Sequence, residues 1–61
     1  MSFIFSINQD VEIKASGESG MVVGRAEYDF DENTYYLRYE AADGRAVEQW
    51  WKESALTASV L

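Results

Sequence analysis

Apolar and polar residues trade places one for one along most of this chain, and that rhythm restricts its fold more than any other feature. In "QDVEIKA", Val11 and Ile13 are set against Glu12 and Lys14. In "MVVGRAEYDF", Val22, Gly24, Ala26, Tyr28 and Phe30 alternate with Val23, Arg25, Glu27 and Asp29. In "YYLRYE", Tyr35, Leu37 and Tyr39 alternate with Tyr36, Arg38 and Glu40. A period of two sends successive side chains to opposite faces, as in half-buried strands of an antiparallel sheet. The segments between are turn signals: "SGESG", "DENT" (Asp31 to Thr34) and "ADG". Gly, Asn and Asp tolerate positive φ, and Asx side chains cap turns. The opening "SFIFSI" reads as a further strand with Phe3, Phe5 and Ile7 on one face.

The second strand is long and contains Gly24, and a glycine inside a strand marks a bulge or a sharp bend. A long bent strand shared by two halves of a sheet is how five short strands close into a barrel. After Trp51 the alternation stops. "KESAL" suits one helical or 3₁₀ turn with Leu56 dropping back into the core, and "TASVL" a last short strand or a frayed tail. The expected fold is therefore all-β, a small five-stranded barrel with a short 3₁₀ turn before the last strand. It forms one domain over residues 1–61, with 1–9 an N-terminal extension or extra strand and 59–61 a tail. A 61-residue chain buries only about 60% of its unfolded surface, and scaffolds of this size use a disulfide, a metal or self-association as a staple. Cys and His are both absent, which removes disulfides and the preferred zinc ligands. Nine aromatic residues remain to fill a small core or to make an interface.

From Val11 to Ala58 the chain resembles the SH3-like barrels of Tudor and KOW type. The shared pattern is a loop, then "G-x-V-x-G", an aromatic strand, a tight turn and a final "W-x-x-x-x-L". The resemblance speaks to fold and not to activity. A second segment is similar to the plasmid-borne type II dihydrofolate reductases, also SH3-like: "VVG" at Val22 to Gly24, followed by "QWWKESAL". That likeness implies a pore built by four subunits and lined at Gln49, Trp50 and Trp51, where folate and a nicotinamide cofactor would meet. The hairpin length differs from that family, and its pore is cationic where this chain is not.

Eleven acidic against five basic residues give a net charge of −6. Such a surface is repelled by phosphate backbones and anionic membranes, so direct nucleic-acid or membrane binding is not expected. No apolar run is long enough for a span, and "MSFIFSI" is too short and lacks the basic start of a signal peptide. The expected location is cytoplasmic. Without His, Cys or a serine with an evident partner, no catalytic set is legible, and no enzyme, cofactor or metal is expected.

Neighbouring Trp50 and Trp51 must point to opposite faces of a strand, so one is offered outward. The simpler account is one indole in the core and the other over an edge. The functional account is a contact surface, since Trp and Tyr dominate hot spots. With Trp50 inward beside Leu56, Trp51 would lie outward with Tyr36 and Arg38, or with Tyr35, Leu37 and Tyr39 if the register slips by one. The candidate binding residues are Gln49, Trp50, Trp51, Tyr36, Tyr39 and Arg38. Tyr28, Tyr35, Tyr36 and Tyr39 with Trp51 also have the composition of an aromatic cage for a methylated ammonium, though an aromatic core accounts for them more simply. In "EYDFDEN", with Glu27, Asp29, Asp31 and Glu32, the carboxylates at alternate positions would share a strand face; this is a solvated, edge-protecting run or a surface for a basic partner, and lacks a calcium-loop pattern. The expected function is a non-enzymatic binding or adaptor module for a protein partner or for self-association in a homo-oligomer, of a kind suited to a phage or other mobile element.

Overall fold

The run "TYYLRYE" forms an interior strand of the sheet, paired on both sides. In the computed structural model, which describes residues 2–59, the chain makes β1 (Asp10–Ile13), β2 (Ser19–Ala26), β3 (Thr34–Glu40), β4 (Ala46–Lys52), a 3₁₀ turn (Glu53–Ala55) and β5 (Leu56–Ala58). All pairings are antiparallel in the order β4-β3-β2-β1-β5, so β4 and β5 stand at the two ends of the series. The fold is all-β, with the 3₁₀ turn before the last strand as the sequence implies. No helix among the described residues is long and apolar enough to cross a membrane.

The alternation delivers the core directly. Val11, Ile13, Val22, Tyr35, Leu37 and Leu56 are buried on the inner face and Phe5 joins them, with Phe3, Tyr39 and Trp51 packed at the margin. Each fully buried aliphatic or aromatic side chain contributes roughly 1.5–3 kcal/mol. The turns follow their signals. Gly17, at φ 77°, closes the β1–β2 hairpin by donating its N–H to the Ile13 carbonyl at 2.7 Å. Gly44, at φ 87°, ends the β3–β4 turn, where its N–H reaches the Ala41 carbonyl at 2.9 Å.

The sequence phase fails in the second half of β2. Val22 pairs with Leu37, but Gly24 pairs with Tyr36, so the register slips at Val23. A bulge adds one residue to one strand and reverses the facing of all that follow. Gly24 and Ala26 therefore share the outer face with Tyr36 and Thr34, not the inner face with Val22. The expectation of an unbroken strand to Phe30 is also corrected. β2 stops at Ala26, residues 27–33 are a loop, and Thr34 already belongs to β3. Tyr28 and Phe30 lie in that loop in solvent, Phe30 being 84% exposed.

The opening segment is not a strand. Its backbone bends irregularly to Asn8, which has φ 72°, and it is fastened to β2 where Asn8 N–H donates to the Val22 carbonyl at 2.7 Å. Phe3, Phe5 and Ile7 do not share one face: Phe5 is buried, Phe3 half-buried and Ile7 exposed. Phe5 thus belongs to the core although it lies outside the sheet. Of the expected 59–61 tail, Ser59 donates its N–H to the Asp10 carbonyl at 3.3 Å, and residues 60 and 61 lie outside the described residues.

Tyr35 joins these pieces. Phe3 and Phe5 meet its ring edge-on, at centroid separations of 5.9 and 5.1 Å. Its hydroxyl donates to Glu53 Oε2 at 2.6 Å and accepts from the N–H groups of Ile4 and Phe5 at 3.2 and 3.4 Å. Buried Asn33 donates its Nδ2 to the Ser2 carbonyl at 3.1 Å and to the same Glu53 oxygen at 3.2 Å. Arg25 completes the clasp, donating to the Phe5 carbonyl at 3.2 Å with its guanidinium 4.4 Å from the Phe3 ring centroid. Burial pushes the Tyr35 phenol up from its ordinary value and the Glu53 carboxylate adds to the rise, against a smaller pull from the Phe5 and Ile4 N–H groups.

Leu37→Ala is expected to cost about 2–5 kcal/mol by urea denaturation, enough to unfold most of a domain this small. The raised Tyr35 value means folding favours the neutral phenol. That stabilisation is complete below the ordinary phenolic value of about 10 and is lost as pH rises through the raised one. The melting temperature should therefore hold at neutral pH and fall above about pH 10, with a shallower fall in Tyr35→Phe. That variant should lose about 1–3 kcal/mol at neutral pH, because Glu53 keeps only its Asn33 donor and two amides lose their acceptor. Thermal melts across a pH series check both.

Candidate functional site

The pleat of β3 and β4 divides the six candidate binding residues into two groups of three. The register runs from Thr34↔Lys52 to Glu40↔Ala46 without a break. Tyr35↔Trp51, Leu37↔Gln49 and Tyr39↔Val47 lie on the inner side, and Tyr36↔Trp50 and Arg38↔Glu48 on the outer side. Trp51 is the indole that packs on the core and Trp50 the one in solvent, at 51% exposure. This reverses the arrangement with Trp50 inward beside Leu56. The reason is the unslipped β3–β4 register, which sets Trp51 opposite buried Tyr35.

On the outer face Trp50 packs against Tyr36 at 4.9 Å between centroids, tilted by 45°. The indole extends across Tyr36 to Gly24: a Cβ built there would lie 4.0 Å from Trp50 Cη2 and 3.2 Å from Tyr36 Cβ. The bulge is what aims Gly24 at this face, and its missing side chain spares a tight approach to Tyr36 Cβ, while the indole would meet a methyl there only at ordinary contact distance. An ion pair stands on each side. Arg38 Nε and Nη2 both donate to Glu48 Oε2 at 2.9 Å, and Lys52 Nζ lies 3.3 Å from Asp31 Oδ2.

The inner group is structural in its contacts. Tyr39 meets Trp51 edge-on at 6.2 Å and donates its hydroxyl to Gln49 Oε1 at 3.1 Å. Among the described residues, Trp51 Nε1 and Thr34 Oγ1 are buried without a hydrogen-bond partner. The aromatic cage does not assemble, because Tyr35 is fully buried and Tyr36 lies on the opposite face from Tyr39 and Trp51. Gln49 and Trp51 likewise share a face from which Trp50 is excluded, so no single surface of this chain carries all three.

The 27–33 loop adds what the sequence reading misplaced. Tyr28 and Phe30 lie 6.0 Å apart, both exposed, around a shallow groove with Asp29, Asp31 and Glu32. Alternation alone made them strand residues. The signal against this was the density of Asp and Asn after Tyr28, since these residues favour turns over strands. The acids do not share one strand face. Glu32 accepts from Ser54 N–H at 2.7 Å and Ser54 Oγ at 3.0 Å, which anchors the 3₁₀ turn. The Glu32 N–H at 2.7 Å, followed by Lys52, holds the Asp31 carboxyl below the usual carboxylate range. Among the described residues no group of three or more potential metal ligands converges.

The cations make no stripe. Arg38 and Lys52 are ion-paired on the outer face, Arg45 pairs with Asp43 at 2.8 Å in the β3–β4 turn, and Arg25 serves the N-terminal clasp. No family model, curated protein or solved structure matches the chain.

The two indoles should separate in experiment. Trp51→Ala is expected to destabilise by about 2–4 kcal/mol, and Trp50→Ala by no more than about 1 kcal/mol, the worth of an aromatic pair at a surface. Paired urea titrations followed by circular dichroism check the difference.

Proposed function

We propose that this chain is a small non-enzymatic binding module, a compact SH3-like barrel working in the cytoplasm, that holds a protein partner bearing basic residues. The observation that carries this reading is the outer face itself. Exposed Trp50 packs at a tilt on half-buried Tyr36 beside a glycine, and neither ring belongs to the core. Rigid aromatic area at the centre and charged residues at the rim is the anatomy of a contact surface. Phe30 and Tyr28 expose a second aromatic pair in the acidic loop, and Lys52 bridges to that loop through Asp31. Large apolar side chains held in water at a net charge of −6 suit a partner of opposite sign, which the field would steer toward the loop. The strand order, the bulged β2 and the 3₁₀ turn before β5 favour the SH3-like reading of the sheet.

A photo-crosslinking amino acid placed at Phe30 or at Trp50, in the cells that make the protein, tests the surface. Both positions should give the same discrete adduct, a control at exposed Ser16 should not, and Trp50→Ala should reduce the Phe30 adduct at least about tenfold, as loss of a hot-spot residue does. Labelling no stronger than at Ser16 would reject the surface.

A further inference from the structure

One end of the sheet is long and uncovered. All seven residues of β4 are exposed or half-buried, and the strand has no bulge and no proline. These are two of the usual guards against edge pairing; charge is a third, and β4 carries it in both signs at Glu48 and Lys52. The other end, β5, has only three residues and offers little to pair with.

Hydrogen-bond parity fixes what β4 presents. Two bonds flank its ladder with β3: Ala41 N–H to the Arg45 carbonyl at 2.8 Å, and Glu53 N–H to the Asn33 carbonyl at 2.9 Å. Opposed pairs in an antiparallel ladder alternate between bonded and non-bonded. The bonded pairs are therefore Tyr39↔Val47, Leu37↔Gln49 and Tyr35↔Trp51. The N–H and C=O groups of Ala46, Glu48, Trp50 and Lys52 point away from β3, out of the edge. Their side chains are those of the outer face, so Glu48, Trp50 and Lys52 form a row of acid, indole and base along an open strand.

We propose that β4 pairs antiparallel with β4 of a second copy, about a two-fold axis at Trp50. That register sets Trp50 opposite Trp50 of the second copy, and Glu48 opposite Lys52 twice over by symmetry. The two-fold requirement leaves few alternatives. Centring the pairing on Glu48 opposes two carboxylates, and centring it on Gln49 sets each Glu48 against an indole and each Lys52 against Ala46. Two chains at −6 repel at long range, so their seam must be complementary locally, and only the Trp50 register matches both charges. The groups are available for it. Arg38 spends both its bonds on Glu48 Oε2 and leaves Oε1 for an ammonium, while Lys52 gives Asp31 one contact of its three possible donors. The pairing fuses two outer faces into one surface, Tyr36 and Trp50 of each copy in line. It rests on the contact-surface reading only in supplying that surface with its second half.

Sedimentation equilibrium of the full chain over a concentration series should show a reversible dimer. Glu48→Lys and Lys52→Glu should each weaken it about tenfold by opposing like charges, and the double exchange should recover it to within about threefold. Circular dichroism verifies that each variant is folded. Amide exchange of the unmodified chain gives a readout that needs no variant: the Glu48 and Trp50 amides should slow as concentration rises, and those of Val47, Gln49 and Trp51 should be slow throughout. A monomer at every concentration, or a dimer indifferent to the single exchanges or not recovered by the double one, overturns the pairing. Phe30 lies off this seam, so its photo-adduct in the Glu48→Lys chain reports the partner surface separately.

Discussion

A buried phenol holds this protein together. Tyr35 sits on β3, a strand paired on both sides, with its ring wholly inside, yet its hydroxyl is the common acceptor and donor for the N-terminal segment and the 3₁₀ turn. A chain of this length without disulfides has a small core and little stability to spare. Fastening two non-strand segments to one core side chain extends that core at both its open margins. Phe5 can then complete the interior from outside the sheet, and Asn33 and Arg25 close the clasp with bonds to backbone carbonyls. Buried polar groups cost stability when unpartnered, so this network stabilises only as a set.

The second decisive feature is the slip at Val23. Ahead of it, β2 presents Val22 to the core; after it, Gly24 and Ala26 face outward and Arg25 faces the N-terminal clasp. A single extra residue thereby separates a filled inner face from an outer face with room for an indole. The β3–β4 ladder, which has no slip, then assigns the two tryptophans without ambiguity, Trp51 to the interior and Trp50 to solvent.

Much of this was legible in the sequence and some was not, for identifiable reasons. Strict alternation in β1 and β3 located Val11, Ile13, Tyr35 and Leu37 in the core, because period two admits only one buried face. Gly24 flagged an irregularity but not its phase; a bulge at Val23 and a plain bend at Gly24 read alike in sequence and differ only in cross-strand pairing. Phe3, Phe5 and Ile7 alternate as a strand would, yet their backbone bends irregularly and is fastened to β2 at Val22 and to the Tyr35 hydroxyl, and only Phe5 is buried. Tyr28 and Phe30 continued the rhythm of β2 past its end, since nothing in the pattern says where pairing stops. The indoles could be parted by the pleat in advance, but which went inward depended on a register that adjacent identical residues cannot encode. The roles of Asn33 and Glu53 were invisible, because a polar residue that will be buried by a distant segment looks like any turn or surface residue.

Gly24 has one more implication. The indole of Trp50 is braced by Tyr36 and its tip reaches the space beside Gly24, while half its area stays wet. A ring already ordered before it is touched surrenders little rotational freedom when something lands on it. A methyl group at position 24 would press on Tyr36 Cβ while only touching the indole, so that position reaches the tryptophan through the tyrosine that borders it.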